Sequence, residues 1–225
     1  MRSLFLAVGF VLVCISTVAS QRPWTEWDKK EVDKMLNGSA WGQTQAETDT
    51  SEMTVTMGVN RQPDAANNQA LTFNYRIRFF SARPIREAFA RKVMLENPGV
   101  KSSQLEGFIN GDYSESIVIA VTYDAPDRRF LGPLNTAFGS ATTETLRANT
   151  YLERSDGKRV QLEEYAPPSS DGSGAKFVFP RVLDGKPFVS SPKELIRFVG
   201  GMGRGVRISW RFKAEDMIYN GKLEY

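Results

Sequence analysis

The sequence predicts a mainly β domain with an α+β tendency: an antiparallel β-sandwich or strongly curved sheet carrying two or three peripheral helices. Three observations point there. Two stretches alternate apolar with polar residues, as half-buried strands do: Leu71, Phe73, Tyr75, Ile77 and Phe79 between Thr72, Asn74, Arg76 and Arg78, and Val206, Ile208, Trp210 and Phe212 between Arg207, Ser209, Arg211 and Lys213. Residues 117–123 are apolar on both faces, which suits a central strand covered from either side. Asp156-Gly157 sits between two β-prone runs, 150–154 and 159–163, the strongest hairpin signal in the chain. Strands arrive in runs with helices inserted among them, which argues against a regularly alternating parallel fold.

From the N-terminus, residues 1–20 read as an export signal. Arg2 supplies the charge, residues 4–19 form an uncharged apolar run of about 16 residues, and Val18-Ala19-Ser20 offers a small-residue cleavage site. Cleavage after Ser20 leaves about 205 residues. An uncleaved anchor is the alternative, although the run is near the short limit for crossing a bilayer core. Cys14 follows Val13, which is not the small residue a lipidated cysteine needs.

Residues 21–50 are expected to form a helical extension and loop ahead of a single β-rich domain, 51–225. In the extension Thr25 reads as N-cap with Asp28 at N3, and Trp27, Val32, Met35 and Leu36 make an uneven apolar stripe. Asn37-Gly38 is the stop, which also accounts for the formal glycosylation acceptor Asn37-Gly38-Ser39. Residues 42–52 lack periodicity and read as a surface loop; 53–57 alternate weakly as a strand. Pro84 opens a helix over 85–95, with Ile85, Ala88, Phe89, Lys92 and Val93 along one side, a Glu87–Arg91 pair, and a stop at Asn97-Pro98-Gly99.

Residues 169–174 have loop composition, and 176–179 form a short strand ended by Pro180. Ser191-Pro192-Lys193-Glu194 looks like a capping box opening a helix of about two turns through Leu195, Ile196, Phe198 and Val199, stopped at Gly200-Gly201. Met217, Tyr219, Gly221, Leu223 and Tyr225 alternate as a last strand completing the sheet. The same alternation resembles the final strand of an outer-membrane barrel, but a barrel needs at least eight strands of about ten residues with an apolar outer band.

Composition excludes more than it assigns. The chain has no histidine, and its one cysteine lies inside the signal. Ser-His-Asp and Cys-His catalysis are therefore absent, as are ordinary zinc, copper and haem sites. No cofactor is expected. Without residues 1–20 there remain 28 basic and 26 acidic residues, a net charge of +2. That balance lacks the clearly basic total of a nucleic-acid binder.

Two features are candidates for chemistry. Arg76 and Arg78 on one strand, and Arg207, Arg211 and Lys213 on another, form one basic sheet face if those strands are neighbours. Such a face suits an acidic polymer, lipid headgroups or a protein partner; long basic side chains also keep an exposed sheet soluble. Asp112, Glu115, Asp124, Asp127, Glu163, Glu164 and Asp184 are scattered acids, and Asp124 with Asp127 is the most suggestive pair for carboxylate catalysis. Gly201-Met202-Gly203-Arg204-Gly205 is not a phosphate loop, since no helix follows it to meet the anion; it reads as a connector.

The opening Trp27-Asp-Lys-Lys-Glu-Val32 and Trp41-Gly-Gln-Thr44, with the closing Tyr219-Asn-Gly-Lys-Leu-Glu-Tyr225, resemble a group of exported bacterial proteins that has no assigned function. The resemblance implies a bacterial, extracytoplasmic setting and transfers no site residues. The expectation is an exported, non-enzymatic envelope protein, periplasmic or extracellular, that binds an envelope protein or acidic polymer through the basic face. It would contact no nucleic acid and keep no membrane span once the signal is removed. A carboxylate-dependent extracytoplasmic hydrolase and a small outer-membrane barrel stand as alternatives.

Overall fold

A computed structural model describes residues 22–49, 71–126, 131–202 and 206–225. The expected signal, the weak strand at 53–57 and Asp127 lie outside the described residues. Two antiparallel sheets face each other. The larger has the order β1-β2-β3-β7-β6, with β1 Gly42–Asp49, β2 Leu71–Phe79, β3 Ser116–Asp124, β6 Glu164–Ala166 and β7 Ala175–Pro180. The smaller has the order β11-β10-β4-β5, with β4 Tyr151–Arg154, β5 Arg159–Gln161, β10 Leu195–Gly201 and β11 Arg207–Lys213, while β8 Val182–Leu183 and β9 Lys186–Pro187 form a separate short hairpin. The chain is therefore mainly β, and its described strands form open sheets, not a closed barrel.

The core lies between the sheets, and aromatic side chains join them. Phe79 meets Phe212 edge-on at 4.8 Å, and Phe198 touches Phe177 and Phe179 at 5.3 and 6.2 Å between ring centroids. β3 is central and residues 117–121 are buried on both faces, as its sequence required. At one edge the chain passes directly from one sheet to the other. The Leu162 N–H donates to Thr150 beside β4, and the next N–H, on Glu163, donates to Val178 of β7. At the opposite edge a single side chain bridges β1 and β11: the Gln45 amide donates to the Arg207 carbonyl and accepts from the Ser209 N–H.

Two helices cover the larger sheet's outer face. They are α1 Lys29–Asn37 and α2 Arg83–Glu96, which pack on each other, with α1 also against β1 and β2. The one-turn α3 Glu106–Ile109 joins α2. Gly42 is where α1 comes closest, since a Cβ there would lie 2.4 Å from the Leu36 carbonyl oxygen. α4 Leu131–Ser140 and α5 Thr143–Arg147 precede β4. Phe138 of α4 stacks on Tyr123 at 4.3 Å and on Tyr75 at 6.5 Å.

Several local expectations need correcting. Asp28, not Thr25, caps α1, in a reciprocal pair with Glu31. Residues 42–49 are an edge strand rather than a loop; an edge strand exposed to water can be polar throughout and so shows no period. Glu87 pairs with Arg83, while Arg91 donates to the Trp27 carbonyl. Residues 195–201 are a strand, not a helix. Ser191 and Glu194 do make cap-like bonds, but these close a turn, and β-branched and aromatic residues then pair with β4 and β11 on both sides. The C-terminal alternation is a separate hairpin, β12 Ile218–Tyr219 with β13 Lys222–Leu223. Asn220 and Gly221 at its tip both have positive φ, the signature of a tight primed turn.

Candidate functional site

The register of the smaller sheet creates a cationic surface. Ile196, Phe198, Ile208, Phe212, Leu152 and Val160 point into the sandwich, so their neighbours point out. Along β11 the outward row is Arg207, Ser209, Arg211 and Lys213, about 7 Å between successive residues and about 20 Å overall. Arg197 of β10 lies directly opposite Arg211 and also opposite Glu153 of β4, which in turn faces Arg159 of β5. Five cations thus share one sheet face with a single carboxylate, Glu153.

That carboxylate is already engaged. It accepts from Arg159 at 2.6 Å and draws Arg197 to 3.6 Å, while Arg197 also donates to the Ser209 hydroxyl at 3.2 Å. Arg159 lies over the Tyr151 ring at 4.4 Å. Glu215, just beyond the end of β11, sits 3.8 Å from Lys213, with both side chains well exposed. Arg207 and Arg211 have no side-chain partner among the described residues, and both are exposed. Like charges directly across a ladder are unfavourable for a sheet, and Arg197 and Arg211 stand opposite each other in this one.

Arg76 and Arg78 are not part of this face. They project from β2 on the outer side of the other sheet, opposite Thr44 and Gly42 of β1, and β2 and β11 are not neighbours. Arg78 is buried and works as a clamp on the end of α1. It donates to the Leu36 carbonyl at 2.9 Å, the Asn37 side chain at 2.7 Å and the Thr122 hydroxyl at 2.9 Å. Burial, reinforced by the neighbouring Arg76, pulls its pKa down to about 10, with Asp33 opposing. Arg76 pairs with Asp124 at 2.5 Å.

The five predicted cations therefore split two and three. Arg207, Arg211 and Lys213 stay together and gain Arg197 and Arg159. Arg197 escaped notice because residues 195–199 resembled a capped helix, although the Ile196-Arg197-Phe198 alternation held the strand signal. Asp124 is engaged by Arg76 and Asn74 and faces no second carboxylate among the described residues. No cluster of three acidic residues suited to a metal ion occurs among them either. No protein-family model, curated protein or solved structure matches the chain.

Proposed function

We propose that this is an exported, non-enzymatic binding protein that holds an acidic polymer of the cell envelope on the outer face of its smaller sheet. The observation that carries the reading is five cations gathered on a face that no described helix covers, two of them without a side-chain partner among the described residues. A repeating polyanion matches three charges spread along about 20 Å of one strand better than a single small anion does. Exposed charges are screened over about 8–10 Å at physiological salt, so only local clustering of this kind gives a near-neutral protein a binding surface.

Binding of the purified protein to dextran sulfate, with neutral dextran as control, tests this across a salt series. Affinity should fall steeply as salt rises. The triple variant Arg207→Gln, Arg211→Gln, Lys213→Gln should lose about 2 units of the log–log salt slope, at about 0.7 per contact on a flexible polyanion, with its thermal midpoint unchanged. Salt-independent binding, wild-type affinity in the triple variant, or capture by anionic vesicles without any polymer binding would each overturn the proposal.

A further inference from the structure

On the opposite side of the sandwich, α1, α2 and the outer face of the larger sheet line an open cleft of about 480 Å³. Small-molecule sites run from about 300 to 1,000 Å³ and combine apolar walls with a few placed polar groups. This cleft does so. Arg76 and Arg78 are among its lining, with apolar walls from Leu36 of α1 and from Phe89 and Leu95 of α2. Lys29 and Lys92 bring its cations to four, against the carboxylates of Asp33 and Glu96.

The two guanidiniums are incompletely used. A guanidinium has five N–H donors; Arg78 spends its bonds on a carbonyl, an amide oxygen and a hydroxyl, never on a carboxylate. Arg76 makes one bond, to Asp124. They stand two residues apart on one strand face, about 7 Å from Cα to Cα, so each feels the other's charge. Phe89 lies 5.6 Å from the Arg78 guanidinium carbon, and Leu95 remains exposed as a large apolar side chain.

We propose that this cleft binds a single-chain amphipathic carboxylate, its head against Arg76 and Arg78 and its chain along Leu36, Phe89 and Leu95. The planar fork of a guanidinium matches the two oxygens of a carboxylate. An anion there offsets the repulsion between the arginines and takes up unspent donors. The apolar walls beside it favour an anion that carries an apolar chain. This site is independent of the basic face, which lies on the other sheet.

The test is titration of the purified protein with decanoate, compared with decanol and acetate, by calorimetry and by amide chemical shifts. Decanoate should bind saturably and shift the amides of Phe89 and Thr122. Decanol, lacking the charge, and acetate, lacking the chain, should each bind at least tenfold more weakly. Arg76→Gln and Leu95→Glu should each weaken decanoate at least tenfold, whereas the Arg207, Arg211 and Lys213 triple variant should leave it unchanged. Leu95 is exposed, so its variant keeps the test open even if Arg76→Gln fails to fold. Absence of saturable decanoate binding, equal binding of decanol, or shifts confined to the basic face would overturn the assignment.

Discussion

The buried carboxylate of Glu87 ties the C-terminal hairpin to α2, beside a bond from the Arg83 N–H to the Glu224 carboxylate, and its contribution can be measured. Glu87 has a side chain only 4% exposed; it accepts from Arg83 Nε at 2.8 Å and from the Tyr219 hydroxyl at 2.5 Å. Trp41 adds a bond to the Glu224 carbonyl and an edge contact with the Tyr219 ring. Tyr219→Phe removes one hydrogen bond to a charged group and should cost about 1.5–3 kcal/mol. Glu87→Ala removes the acceptor, leaves the buried hydroxyl of Tyr219 unpaired and opens a void, for about 3–5 kcal/mol. Arg83 is 46% exposed and returns to water, so it adds little. With both changes made the hydroxyl is no longer orphaned, and the total should fall short of the sum by about 1–2 kcal/mol. Urea unfolding of the four proteins, with slopes compared, measures this. Costs that add to within about 0.5 kcal/mol would refute the idea that Glu87 and Tyr219 act together.

Two further outcomes are expected. Phe198→Ala, at the aromatic junction of the two sheets, should cost about 3–5 kcal/mol, whereas Arg211→Gln on the outer side of the same ladder should stay within about 0.5 kcal/mol; similar losses in urea titrations would mean the inward and outward faces are wrongly assigned. Stability should also fall as pH rises above about 10. Burial raises the phenol pKa values of Tyr75, Tyr165 and Tyr219 above the usual 10, so the unfolded chain loses those protons first and is favoured. Arg78, pulled down to about 10, and Arg86, also lowered by burial, act in the opposite sense, but burial raises the Tyr113 and Tyr123 phenols as well, so two groups stand against five. Stability that is flat or rising between pH 9 and 11 would contradict this account.

How much of this was legible depended on what each element had to bury. β2, β3 and β11 bury apolar rows, and alternation or a double-sided apolar run announced them to within a residue or two. The hairpin around Gly157 was equally plain, because positive φ restricts which residues fit. β1 was invisible, being an edge strand of Gln, Thr and Glu whose existence is decided by its neighbour β2. β10 was misread because local cap chemistry and a short apolar run fit a helix turn and a strand equally well. Only two flanking strands settle that choice, and no local signal contains them. Arg197 was lost with it. α4 was missed because Leu131-Gly132-Pro133 reads as a turn, although proline is tolerated in a helix's first turn.

The split of the predicted basic face has a physical cause that spacing alone does not carry. Arg76 and Arg78 on β2, like Arg211 and Lys213 on β11, stand two residues apart on strands of similar pattern. What differs is what lies above them. Gly42, opposite Arg78 in the ladder, lets the last turn of α1 descend until its carbonyls reach the guanidinium. Arg78 thereby becomes a clamp, and with α1 and α2 it lines an open cleft. Among the described residues no helix lies over β11 and its backbone edge is met by the Gln45 amide, so its cations stay extended in water. How an arginine on a strand is used thus depends on the element packed above it. In this chain the deciding residue is a glycine thirty-six positions away from the arginine it converts.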